Sequence, residues 1–366
     1  MTHDRLADDC HSHSQPQRHA HGHEGCCGPS RRGFLKTAAL VTGGALIPGG
    51  LLAQAPAGAS RKRIDTHFHY YPPGVGGELG SGISKRWSTQ IAQDEMDKNG
   101  IVSAVLSVSS APDEWWRLDA QQLRGKVRAL NDFAAQMVRD QPKRYGQFAF
   151  LSMADVDGTL KEIAYALDEL KADGIGLSTS YGNQFLGDPD FRPVMDELQR
   201  RRALVYVHPG RPDCCDTLTP QVPGSFTECP QDTNRTVMSL LFSGTFTRTR
   251  DVRWIFSHGG AAVPLLAGRV NSLAKIQLKN QAQVLPDGID FELKRLYYET
   301  ANAAYSPNMA ALLKFASASQ VLFGTDYPYV SVVENANDLM KAGLSALDLK
   351  AIENENALRL MPRLKT

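Results

Sequence analysis

The chain lacks any imbalance of charge: 40 Lys and Arg stand against 39 Asp and Glu, a formal net charge of +1. The balance persists when the first 59 residues are set aside, so there is no basic stripe for nucleic acid and no cationic patch for an anionic membrane. A long apolar run is missing too. The most apolar stretch, Thr37 to Ala53, is interrupted by Gly43, Gly44, Pro48, Gly49 and Gly50 and leaves too few continuous apolar residues to span a bilayer. Cysteine is scarce, six in all, and Cys214, Cys215 and Cys229 are the only ones after residue 27. An odd number in one segment does not make a disulfide scaffold, although one bridge to Cys229 is open in an oxidising compartment. Nor does a Gly-rich phosphate loop follow the first apolar strand, which an open dinucleotide-binding sheet would normally bring.

Histidine, by contrast, is unevenly spent. Of ten, six (His3, His11, His13, His19, His21, His23) crowd the first 23 residues. Just beyond them, Ser30-Arg-Arg-Gly-Phe-Leu-Lys36 matches a twin-arginine export signal, followed by the weakly apolar stretch and small-residue cleavage positions near Ala55 or Ala59. Residues 1–59 are therefore expected to be a His/Cys-rich tail plus a cleaved leader, and 60–366 the mature domain. The expected partner is the twin-arginine export machinery and the expected location the periplasm.

The other four histidines each end a short apolar run: His67 and His69 in Arg63-Ile-Asp-Thr-His-Phe-His69, His208 in Leu204-Val-Tyr-Val-His208, and His258 in Trp254-Ile-Phe-Ser-His258. Such β-branched runs recur over Arg63–His69, Ile101–Ser109, Tyr145–Met153, Gly174–Ser180, Leu204–His208, Arg253–His258, Tyr297–Ala301 and Gln320–Asp326. Helical spacing fills the intervals. Leu123 to Gln141 places Val127, Leu130, Phe133, Ala134, Met137 and Val138 on one face, and Leu160 to Leu170 does the same with Ile163, Ala164 and Leu167. Strand–helix alternation repeated eight times predicts a single-domain α/β protein, a (β/α)₈ TIM barrel.

In that fold, strand ends far apart in sequence converge on one mouth. Positions i and i+2 of a strand point the same way, so His67 and His69 aim at one point. His67, His69, His208 and Asp326 are the expected ligands of a metal site: three imidazoles and one carboxylate suit zinc and leave a position for water or substrate. His258 would sit beside the ion as a proton-transfer group, or as a further ligand. Two-metal barrels commonly bridge their ions with a lysine at the end of strand four, and Gly174-Ile-Gly-Leu-Ser-Thr-Ser180 has none; one divalent ion, zinc or alternatively manganese, is expected. Asp65 and Glu299 lie at strand ends where one of them would orient a ligand histidine. Phe68, Trp87 and Tyr327 stand where ring-stacking walls could form, although a barrel buries such residues in any case. The Arg211–Asp232 connection, with four prolines, is long enough for a lid or a subunit contact.

These blocks, Ile64-Asp-Thr-His-Phe-His69, Glu95-Met-Asp-Lys-Asn-Gly100, Tyr206-Val-His-Pro209, Phe256-Ser-His-Gly-Gly260, Gly268-Arg269 and Phe323-Gly-Thr-Asp-Tyr-Pro328, resemble the amidohydrolase-related superfamily in its aminocarboxymuconate-semialdehyde decarboxylase-like branch. Pro230–Arg235 and Val263–Arg269 most resemble the 6-methylsalicylate and γ-resorcylate type of decarboxylase. The resemblance implies a metal-dependent, non-oxidative carboxy-lyase acting on a small aromatic or muconate-like carboxylic acid, commonly as a homodimer. It implies His67, His69, His208 and Asp326 as metal ligands, His258 as the catalytic histidine and Arg269 as the partner of the substrate carboxylate; delivery of the proton is expected to be shared by His258 and Asp326. A second arginine that the semialdehyde decarboxylase carries has no counterpart in register here, Arg86 being merely near. The alternative is a mononuclear hydrolase of the same superfamily, a lactonase or amidase, because the same donor set can activate water.

Overall fold

The computed structural model describes residues 61–365, apart from 75–78, 80, 81, 83–85, 113, 114, 116, 154 and 211–220. The expected leader with its Arg31–Arg32 pair lies outside the described residues, as do Cys214, Cys215 and the first half of the expected lid.

Eight parallel strands succeed one another in chain order: β1 (Arg63–His69), β2 (Ile101–Ser107), β3 (Tyr145–Phe150), β4 (Gly174–Ser178), β5 (Leu204–His208), β6 (Arg253–Phe256), β7 (Tyr297–Glu299) and β8 (Val321–Leu322). Backbone bonds join the last segment to the first. Thr66 N–H donates to Phe323 O at 2.9 Å, Asp326 N–H to His67 O at 3.0 Å, and His69 N–H to Tyr327 O at 2.8 Å. The sheet thus rolls into the expected barrel. β8 pairs with β7 over two residues only; past Leu322 the backbone bonds to β1 instead. β3 and β6 end short of the expected Met153 and His258, where the backbone turns left-handed (φ 53° and 55°).

The outer layer is α1 (Thr89–Lys98), α2 (Ala120–Asp140), α3 (Val156–Ala164), α4 (Arg192–Arg200), α5 (Glu228–Phe242), α6 (Val263–Gln277), α7 (Ser306–Phe315) and α8 (Val332–Lys341). Side-chain oxygens of Ser88, Asp119 and Asp155 accept the orphan N–H groups that open α1, α2 and α3. α2 buries Leu123, Val127, Leu130, Ala134 and Met137, the stripe its spacing predicts. The stretch to Leu170 begins earlier than expected and finishes in one wide turn, Leu170 N–H reaching Tyr165 O.

Strand alternation sorts the core. Val205 and Val207 join the shell packed under the helices, whereas Leu204 and Tyr206 join Ile64, Val105, Phe148, Ile255 and Leu322, with Leu360 and Leu364 of the C-terminal segment. Tyr206 stacks on Phe148 with centroids 5.0 Å apart and its ring lies 5.5 Å from that of His67. A packed plug, not a channel, underlies the histidines.

Candidate metal and proton-transfer site

His67, His69, His208 and Asp326 converge as their strand positions predict, and His258 joins them. Ligand atoms of His67, His208, His258 and Asp326 lie within 4.8 Å of one another. His69 belongs to the same cluster: its Nε2 stands 3.0 Å from His67 Nε2 and 3.1 Å from Asp326 Oδ1. His67 Nε2 is also 3.1 Å from that oxygen, and His258 Nε2 is 3.4 Å from Asp326 Oδ2.

Local sequence explains how the rings reach one point. After β6 the chain must turn sharply to present His258, and His258, Gly259 and Gly260 are all left-handed (φ 55°, 64° and 71°). A Cβ on Gly260 would stand 2.5 Å from the Tyr298 ring, so this turn requires glycine. In Gly324-Thr-Asp326, a Cβ on Gly324 would collide with Glu299 Oε2 at 2.0 Å; glycine makes room for that carboxylate. Thr325 supplies its hydroxyl to Asp65 Oδ2 at 2.5 Å. Asp326 itself is left-handed (φ 65°), strain of a kind that gathers at functional sites.

The chemistry of the donor set tests the fit to a cation. Each of three imidazoles has Nδ1 against an oxygen: His67 on Glu299 Oε1 at 2.9 Å, His69 on Ser107 O at 3.1 Å, His208 on Pro209 O at 3.0 Å. A carbonyl can only accept, so Nδ1 of His69 and His208 carries the proton and each Nε2 keeps its lone pair. His208 Nε2 is buried with no hydrogen-bond partner among the described residues. Lone pairs pointed at one another beside a carboxylate repel unless a positive charge sits between them, and a divalent ion supplies that charge. His258 differs: no Nδ1 acceptor pins it among the described residues, and its backbone N–H donates to Glu299 Oε1 at 2.7 Å.

The ionisation of the cluster agrees. Burial pulls the His67 imidazole down, but the Glu299 and Asp326 carboxylates outweigh it and hold it up at about 10. Without a metal, a proton on His67 thus provides the positive charge. Burial lowers His69, and burial together with the neighbouring imidazoles drives His208 well below its ordinary value. Burial would raise Asp326, yet His67 and the hydrogen bonds from the histidines keep it well below the usual carboxylate range.

Of the two acids expected to orient a ligand, Glu299 does so. Fully buried, it accepts from His67 Nδ1, from His258 N–H and, through Oε2, from Ala301 N–H at 2.6 Å. Asp65 instead accepts the His67 and Thr325 N–H groups at 3.0 and 3.1 Å and orders backbone. Arg269 is exposed on α6 and makes no hydrogen bond or ion pair among the described residues, so the structure does not bring it into the cluster. Phe68 stacks on Tyr327 at 4.5 Å in the layer beneath α2, on the opposite strand face from His67 and His69; it is core, not a pocket wall. Trp87 meets Tyr71 and Phe133 edge-on in the same layer. The expected lid ends sooner than Asp232: α5 begins at Glu228, and Val222 and Phe226 before it are exposed.

Two groups escaped the sequence reading. Asn302, left-handed at φ 53°, donates to Asp326 Oδ2 at 2.8 Å. Tyr329 sets its ring edge-on to His69 at 5.6 Å and shares hydroxyl contacts with Tyr71 and Ser109. The only available signal was the placement of each just past a strand end.

The chain is similar to known proteins over most of its length. The 6-methylsalicylic acid decarboxylase of Aspergillus aculeatus is 32% identical over 324 residues, covering 83% of this chain and 97% of that protein. Among solved structures, the 2,6-dihydroxybenzoate decarboxylase from Rhizobium superposes with a TM-score of 0.73 at 20% identity, over 82% of this chain and 99% of that one. The 5-carboxyvanillate decarboxylase of Novosphingobium aromaticivorans does so with a TM-score of 0.73 at 19% identity, over 82% and 97%. Residues 64–363 match the family model described as amidohydrolase, and the chain belongs to that family, on the branch that holds the 6-methylsalicylate and γ-resorcylate decarboxylases.

Proposed function

We propose that the protein is a metal-dependent, non-oxidative carboxy-lyase of a small hydroxylated aromatic acid, with one divalent ion held by His67, His69, His208 and Asp326. One observation carries the reading: Nε2 atoms backed by Nδ1–oxygen contacts and turned on a single carboxylate, in a chain 32% identical to a 6-methylsalicylic acid decarboxylase. The donor set suits zinc; the 5-carboxyvanillate decarboxylase structure holds manganese, and reconstitution with each ion separates the two.

When bound, the ion supplies Lewis acidity and fixed positive charge toward the oxygens of a phenolic acid. The protein's own residues supply the proton. His258 Nε2 and Asp326 Oδ2, 3.4 Å apart, form a pair able to hold one and deliver it to the ring carbon that bears the carboxylate. As the new C–H bond forms, the bond to the carboxylate breaks, its electron pair returns to the ring, and CO₂ leaves. Asn302 donates to the same oxygen and fixes its orientation. Arg269 is proposed as the partner of the substrate carboxylate on the resemblance alone, since it stands exposed on α6 outside the cluster. The export reading is likewise proposed, supported by Ser30–Lys36, with the periplasm as destination.

The test is purified protein, loaded with zinc or manganese, against hydroxybenzoates and against lactones and amides. Release of CO₂ from an aromatic acid supports the assignment. Opening of a lactone or amide with no CO₂ from any acid overturns it in favour of the hydrolase.

A further inference from the structure

One buried carboxylate has no part in the reaction as proposed. Asp232, on the second turn of α5, is fully buried. Its Oδ2 accepts from the Thr179 hydroxyl and from the Ser180 hydroxyl at 3.0 Å, while Oδ1 meets no hydrogen-bond partner among the described residues. A charge so placed is costly unless the groups it orders matter.

The groups it orders lead to His208. Thr179 Oγ1 accepts the Gly210 N–H at 2.7 Å, so its single proton is left for Asp232. The Gly210 N–H and the Pro209 C=O are the two ends of one planar peptide unit; aiming one aims the other. That Pro209 oxygen accepts the His208 Nδ1 proton at 3.0 Å. A second link fixes the register: Thr179 N–H donates to His208 O at 2.9 Å. The approach is close, since a Cβ on Gly210 would stand 3.3 Å from both Ser180 O and Ser180 Oγ.

We propose that Asp232, acting through Thr179 and the Pro209–Gly210 peptide, is a positioning residue for His208, holding its ring in the tautomer and direction that aim Nε2 at the metal position. The proposal rests on the reading of His208 as a metal ligand. The chain Asp232–Thr179–peptide–His208 is continuous, and each hydrogen bond in it polarises the next. The carboxylate's charge is therefore passed toward the imidazole and makes it a better donor, the role that acids and carbonyls behind metal-bound histidines commonly fill. A neutral Asn in place of Asp232 would keep the shape and lose that polarisation; Val in place of Thr179 would break the chain and leave the Gly210 N–H unpaired.

The experiment measures Mn²⁺ affinity by competition with a chromophoric chelator, alongside thermal unfolding of the metal-free proteins, for wild type, Thr179→Val, Thr179→Ser, Asp232→Asn and His208→Ala. Thr179→Val and Asp232→Asn are expected to bind Mn²⁺ roughly 10–100-fold more weakly, as losses behind a ligand histidine typically do. Thr179→Ser, which keeps the hydroxyl, restores affinity. A merely structural role would lower the melting temperature while leaving the affinity of the folded protein unchanged. Wild-type affinity in Asp232→Asn, or in a folded Thr179→Val, overturns the proposal and leaves the metal reading intact. Failure of wild-type protein to bind Mn²⁺, or full binding by His208→Ala, removes the metal reading first and this proposal with it.

Discussion

Replacing Glu299 by Gln changes one atom and should disable the site. Oε1 accepts two N–H groups, from His67 at 2.9 Å and His258 at 2.7 Å, and Oε2 accepts a third, from Ala301 at 2.6 Å. All the partners on both oxygens are donors, so the amide NH₂ of Gln faces a donor in either orientation. The residue is fully buried and water cannot relieve the conflict. Losing one charge-assisted bond in such a place costs about 1.5–3 kcal/mol. At about 2 °C per kcal/mol for a chain of this size, the metal-free protein should melt about 3–6 °C lower. The larger effect falls on the metal: with His67 no longer held by its Nδ1 proton, affinity should drop roughly 10–100-fold. Chelator competition measures the affinity and calorimetry the melting. Glu299→Gln protein with wild-type metal affinity would refute the claim that Glu299 orients a ligand.

Five further outcomes are expected. Because Glu299 and Asp326 outweigh burial and hold His67 up at about 10, against 6.5 for a free imidazole, the metal-free site carries a proton that the ion displaces. Affinity should rise about tenfold per pH unit through neutrality and level off near pH 10, with one proton released per ion, measured calorimetrically in buffers of different ionisation heat. In the metal-free protein the same raised value stabilises the fold fully below about 6.5, and that stabilisation is lost as pH climbs through about 10. His208→Ala should lose the metal while His258→Ala keeps it and loses turnover; a metal-empty His258→Ala protein would exchange the two roles. Arg269→Lys should lower kcat/KM for the acid by roughly ten- to a hundredfold, the loss of a two-pronged charge-assisted pair of about 1.5–3 kcal/mol, without changing metal content; a near-normal value would place Arg269 outside the pocket. Changing Arg31 and Arg32 together to Lys should retain the unprocessed protein in the cytoplasm, read by fractionation, since lysine does not reproduce the paired guanidinium groups.

The barrel was legible because β-branched runs and helical stripes alternate, and because a parallel barrel puts every strand end at one mouth. That geometry alone brought His67, His69, His208, His258 and Asp326 together from across the chain. Less visible was which acid does what. Asp65 and Glu299 both sit at strand ends, and only the three-dimensional placement of Gly324, which clears space for Glu299, gives it the His67 ring. Phe68 was open to two readings, pocket wall or buried core; strand alternation sends it outward into the core, and that rule was available from the sequence. Asn302 and Asp232 were beyond reach, since each acts on a neighbour from another strand, Asn302 through a left-handed backbone and Asp232 through a peptide plane. A single sequence records neither.

The central claim is most directly tested by incubating 6-methylsalicylate with metal-loaded protein in D₂O and following the ring by NMR. The account predicts loss of the carboxylate as CO₂ with one deuterium at the ring carbon it leaves, abolished by chelator and restored by the divalent ion. Unchanged acid in the presence of protein that holds its metal, with hydroxybenzoates of related substitution equally untouched, would contradict it.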